Sequence, residues 1–209
     1  MIKIFFLISL FFISSCKSQN IKNMTPYVDN KYEKFNQIEF NSSKKENSLT
    51  FREFLADGSY IELDQGSYGK GYNKTPKNSN YTIVKIYFQN GNIKSKGLTL
   101  NLPWTTFRKG IWYEFDESGK LIKETDYDKP FKFTFEDILA FCEKEKIQVD
   151  KGPILQSTGY HTTIQRGLEN NHPWWTIEWL KQPDILETIK LDGISGKVIS
   201  RKDRNYINN

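Results

Sequence analysis

The sequence predicts an α+β fold that is mostly antiparallel β, a hairpin meander followed by an αβββ module. Three observations carry this. Glycine-containing turn pairs recur between strand-like runs at Asp57-Gly58, Asn90-Gly91 and Ser118-Gly119. A single stretch, starting at Thr134, repeats its apolar residues at helical spacing. Beyond it, period-two alternation returns almost to the end of the 209 residues.

The chain opens MIKIFFLISLFFISSC, with Lys3 before an apolar run from Ile4 to Ile13 that only Ser9 interrupts. Such a run spans ~15 Å as a helix, against a hydrocarbon core of ~30 Å, so residues 1–15 read as an export signal and not as a membrane span. The order Ile13-Ser14-Ser15-Cys16 resembles the lipobox of bacterial lipoproteins. That resemblance implies cleavage before Cys16, acylation of its thiol with palmitate-type chains, and membrane attachment at the cell envelope, in the outer membrane where a cell has two. Read from the residues alone, an ordinary secretory signal cut near Ser15 stays open. Lipid contributes ~0.8 kcal/mol per buried methylene, and more than one chain is needed for lasting attachment. With Cys16 consumed, Cys142 is the remaining cysteine and no intramolecular disulfide can form. A domain of this size can bury enough surface without one.

The formal charge of +5 falls to +4 when Lys3 leaves with the signal. Basic and acidic residues are interleaved throughout, so no basic block concentrates a field and nucleic acid is not an expected partner.

Residues 16–47 are polar, rich in Asn, Lys and Ser, and read as a tether reaching about 30 Å, with Phe35 to Phe40 able to dock as an edge strand. Residues 48–129 read as hairpins. Asp57-Gly58 and Asn90-Gly91 predict two-residue type I′ turns, and Ser118-Gly119 a slightly longer loop. The glycines of GSYGKGY, from Gly66, miss the order of a dinucleotide-binding loop and read as a flexible loop. The phrase from Phe88 to Gly97, followed by Gly110-x-Trp112-Tyr113-x-Phe115-Asp116-x-x-Gly119-Lys120-Leu121, resembles the repeat of YwqK-type antitoxin proteins, relatives of the MORN repeat. The same turn residues also mark hairpin tips in any turn-rich antiparallel sheet.

Residues 130–209 form the second unit. Thr134 and Asp137 are spaced as a capping box, and Phe135, Ile138, Leu139 and Cys142 fall on one helical stripe, which makes Cys142 a buried structural thiol. Strands are expected at residues 159–166, 174–180 and 185–192, the last leading through Gly193 to Gly196 into KVISR. A helix followed by antiparallel strands ending Asp192-Gly193-Ile194-Ser195-Gly196-Lys197-Val198-Ile199 resembles the PepSY domain, with Ser195 where a threonine is usual. PepSY resemblance implies inhibition or chaperoning of a peptidase; YwqK resemblance implies antitoxin or immunity duty.

Chemical motifs are sparse. His161 and His172 have no ligand-type neighbours at metal spacing, and HExxH, GxSxG and Walker patterns do not occur, so neither metal nor cofactor is expected. Glu124, Asp126 and Asp128 alternate and would share a strand face, a seat for a cation or acid–base chemistry if they were not balanced by Lys123, Lys129 and Lys132. Trp174 and Trp175 are adjacent and must point to opposite faces of a strand, while Trp104 follows Pro103 in an irregular stretch. Tryptophans so placed anchor protein interfaces or stack on sugars. The expectation is a non-enzymatic, lipid-anchored protein that recognises another envelope or secreted protein through Trp104, Trp174 and Trp175; the alternatives are an envelope hydrolase centred near Glu124 or a glycan-binding lipoprotein.

Overall fold

The computed structural model describes residues 25–102, 107–154 and 159–206; the signal residues 1–15, Cys16 and Trp104 lie outside the described residues. Helix α1 (Gln37–Ser43) precedes seven strands: β1 (Thr50–Phe54), β2 (Tyr60–Gly66), β3 (Gly69–Thr75), β4 (Tyr81–Tyr87), β5 (Ile93–Leu100), β6 (Arg108–Phe115) and β7 (Leu121–Asp126). They form one antiparallel sheet in sequence order, so each strand pairs only with its neighbours along the chain.

The turn pairs sit at hairpin tips; the loop at Ser118-Gly119 is longer than two residues, as expected, but so are those at Asp57-Gly58 and Asn90-Gly91. Leu55, Phe88 and Asp116 each accept, at the backbone carbonyl, the N–H of the glycine three residues on, at 2.9, 2.9 and 3.0 Å. Gly58, Gly91 and Gly119 have φ of 78°, 83° and 89°, while Asp57 and Asn90 do not have positive φ. These are type I turns closed by a left-handed glycine, not two-residue type I′ turns. The side chains explain it: Asp57 Oδ1 accepts the Ser59 N–H and Asn90 Oδ1 the Asn92 N–H, which holds the loop so that only the glycine needs the left-handed region. The GSYGKGY stretch is a hairpin rather than a flexible loop, with Gly66 paired to Gly69 across Ser67 and Tyr68. A Cβ on Gly71 would overlap the Asp64 carboxylate, so this glycine admits a close strand contact instead of looseness.

The tether reading is corrected from residue 25 onward, where the chain is an arm packed on the larger sheet. Phe35 and Phe40 enter a core with Ile61, Leu63, Tyr87, Ile93 and Phe115. The arm is pinned by main-chain bonds, Phe35 N–H to Gly91 O at 2.8 Å and Ile93 N–H to Glu33 O at 3.1 Å. Its apolar patch docks through helix α1, capped by Asn36, and an isolated bridge of Lys34 to Asn92, not as an edge strand.

Helix α2 (Phe135–Lys144) begins with the expected capping box: Thr134 Oγ1 accepts the Asp137 N–H, and Asp137 Oδ2 accepts the Thr134 N–H at 2.8 Å. It stops at Lys144, and Lys146 turns left-handed (φ 60°) and delivers Ile147 to the core. Four strands follow where an αβββ unit was expected: β8 (Thr163–Glu169), β9 (His172–Gln182), β10 (Ile185–Asp192) and β11 (Val198–Asn205), in the order β11-β10-β9-β8. The two-residue type I′ turn expected at Asp57-Gly58 and Asn90-Gly91 occurs here instead, at Asn170-Asn171 with φ of 51° and 64°. Ile164, Trp175, Ile177, Ile189 and Leu191 from this sheet's inner face pack on Phe135, Ile138 and Cys142 of α2, on Tyr81 and Leu100 of the larger sheet, and on Leu102 and Phe107, which flank the connection from β5 to β6. One core therefore joins the two sheets.

Candidate functional site: a groove between two sheet edges

Strands β7 and β8 are edge strands of different sheets. Between them opens a groove of about 590 Å³, with Thr125, Asp126 and Tyr127 on one wall, Gln165 to Leu168 on the other, and Phe107, Arg108, Pro130 and Phe131 completing it. Its size is that of a ligand pocket or a peptide trough.

Arg166 is placed by strand alternation. It shares the inner face of β8 with the buried Ile164, so its guanidinium enters the joint and its side chain is only 6% exposed. There the guanidinium carbon lies 4.0 Å from the Phe107 ring centre and 4.4 Å from that of Phe131, and Nη1 is 2.8 Å from Asp128 Oδ1. Asp128 also holds Lys109, with Nζ at 2.7 Å from Oδ2. Burial pushes the Asp128 carboxyl up, but the hydrogen bond and charge of Lys109, a Gly110 backbone bond and the charge of Arg166 together hold it below its ordinary value.

Arg108 is held differently. Its guanidinium carbon stacks 4.3 Å from the Trp112 ring centre and 5.3 Å from that of Tyr127, and Nη1 donates to the Tyr127 hydroxyl at 2.6 Å. Among the described residues no carboxylate lies within ion-pairing distance of it. Trp112 reaches this position because β5 opposes it with Gly97, where a Cβ would overlap the indole. Thr125 Oγ1, on the β7 wall, is buried with no hydrogen-bond partner among the described residues.

The carboxylates singled out in the sequence do not converge. Glu124 accepts from the Asn30 amide at 3.2 Å, Asp126 accepts the Asp128 N–H at 2.9 Å, and Asp128 turns into the joint. Of the three, Asp126 lines the groove. His161 Nδ1 lies 2.7 Å from Asp150 Oδ2, and His172 Nε2 meets Asp192. Asp192 also accepts from the backbone of Ile194 and Ser195, and His172 first and these bonds next hold its carboxyl well below the usual range. Among the described residues no group of three or more His, Cys, Asp or Glu side chains is placed to hold a metal ion, and no helix is long and apolar enough to cross a membrane.

The tryptophans separate as alternation requires. Trp175 is fully buried and donates from Nε1 to the Phe133 carbonyl at 3.0 Å, so it is withdrawn from any binding surface. Trp174 lies half-exposed on the outer face, over Gly167, with Lys190 Nζ 5.6 Å from its ring centre. The sequence reading missed Arg108, Tyr127 and Arg166. A signal was present for Arg166, a charge in phase with Ile164 on an apolar strand face; none marked Arg108, whose surroundings come from chain distant in sequence. Comparison of the chain with protein-family models, with characterised proteins and with solved structures found no match.

Proposed function

We propose that this chain is a lipid-anchored protein of the bacterial cell envelope that acts by binding another envelope or secreted protein, as an inhibitor or immunity factor, rather than by catalysis. The observation that carries the reading is the groove at the joint. Its polar groups are two arginines, an amide, a phenol and the Thr125 hydroxyl set among aromatic rings, an arrangement suited to recognition, and its one lining carboxylate, Asp126, is occupied with backbone. The lipobox-like order ending at Cys16 supplies the address, and the YwqK-like and PepSY-like phrases supply the analogy to immunity and inhibitor proteins.

The packed arm adds a dimension to this reading. If Cys16 is acylated, the chain from Cys16 to Thr25 spans at most roughly 30 Å however it runs, so the body would be held close to the lipid surface. Two measurements test the proposal. Cys16→Ser should move the protein from the membrane fraction to the soluble one, and the mature chain should retain a specific protein partner from envelope extract. An unchanged distribution removes the anchor; repeated failure to retain a protein, with saccharide binding in its place, removes protein recognition.

A further inference from the structure

We infer that the groove between β7 and β8 takes an extended peptide as an additional strand on β8, with an acidic side chain of that peptide seated on Arg108. The inference rests on the binding reading above and names the chemistry of its partner. The direction of the β8 backbone follows from its turn. In a two-residue hairpin the residues flanking the turn exchange both hydrogen bonds, so Glu169, Gly167, Gln165 and Thr163 bond across to His172, Trp174, Thr176 and Glu178. The N–H and C=O groups of Leu168, Arg166 and Ile164 then point away from β9, toward the groove. Among the described residues none of these three makes a backbone bond outside the β8–β9 ladder. An open edge of this kind is a template for a further strand, and the groove admits one.

Charge selects the occupant. Arg166 already has Asp128, whereas Arg108 has a phenol partner and two aromatic faces but no carboxylate among the described residues. Stacking fixes the guanidinium plane in advance, so a carboxylate reaching it meets oriented donors in a partly dry setting, where such bonds are strongest. Phe131 and Leu168 offer apolar contact beside it, which suits an apolar residue flanking the acid.

The test uses the chain from residue 17 onward in a random-peptide display selection, followed by affinity measurement with the recovered peptides. Recovered peptides should share an Asp or Glu flanked by apolar or β-branched residues. Arg108→Gln should weaken their binding about tenfold or more, and N-methylation of alternate peptide backbone nitrogens should abolish it. Recovery without an acidic preference, affinity unchanged by Arg108→Gln, or equal competition by free succinate would overturn the proposal, the last by marking a small-molecule pocket. If a partner protein is still retained from envelope extract by the Arg108→Gln variant, this site is wrong while protein recognition stands; if the unaltered chain retains nothing and selects nothing, both fail.

Discussion

Lys96 Nζ lies 3.0 Å from Glu33 Oε1, joining the middle of strand β5 to an arm laid down more than sixty residues earlier. The lysine side chain is only 3% exposed, and the arm completes its coordination through Asp29 Oδ1 at 2.9 Å and the Lys31 carbonyl at 2.6 Å. Glu33 also holds Lys85 at 2.6 Å. An ammonium buried in the sheet is tolerable only while the arm covers it.

Replacing Asp29 and Glu33 together by Asn and Gln should therefore cost about 3 kcal/mol, because a buried charge loses its partners. Limited proteolysis should then cut within residues 25–44 under conditions where the sheet resists, and unfolding in urea would give the magnitude. A double variant as protease-resistant as the parent would refute the strap.

The joint should weaken in acid. The Asp128 carboxyl is held below its ordinary 3.8 in the folded chain, so its stabilising contribution is complete above the unfolded value and is lost as pH falls through the lower folded one. Urea midpoints should fall as the medium is taken below about pH 4. Asp128→Asn should be less stable at neutral pH by on the order of 1–3 kcal/mol and should show a smaller loss on acidification, since Arg166 and Lys109 lose their partner at every pH.

Cys142 should be chemically silent. It lies on the buried stripe of α2, and burial pushes its thiol up to about 12. In a Cys16→Ser background, a thiol reagent should titrate no cysteine in the folded protein and one in denaturant. Labelling at the native rate of a free thiol would contradict the packing described for α2.

The turn between β8 and β9 offers a backbone test. Asn171 sits at φ 64°, a conformation asparagine tolerates and β-branched residues resist. Asn171→Val should destabilise by about 1–2 kcal/mol, while Asn171→Gly should be neutral or slightly stabilising. Thermal unfolding distinguishes them, and equal effects would contradict a type I′ turn. The same change bears on the groove, because this turn sets which β8 backbone groups face it.

Much of the architecture was legible because it is local. Thr134 and Asp137 announce the start of α2 within four residues, and Gly58, Gly91 and Gly119 mark hairpin tips from their immediate neighbours. The kind of turn was not legible, since it depended on where the Asp57 and Asn90 side-chain oxygens would bond. Nor was the arm, whose polarity reads as solvated chain until Lys96 and Lys85 are placed beneath it. The groove was the least accessible: Arg108 and Arg166 are 58 residues apart and meet only because two sheets share a core.

Neighbour-only pairing has a consequence for how the chain matures. As the polypeptide emerges from the ribosome, each hairpin of the larger sheet can zip onto its predecessor with little entropy spent on loop closure. The arm emerges first yet can settle only after β5 has arrived with Lys96. During that interval the apolar rings of Phe35 and Phe40 lack Ile93 and Phe115, so the nascent chain exposes apolar surface until its middle has been delivered.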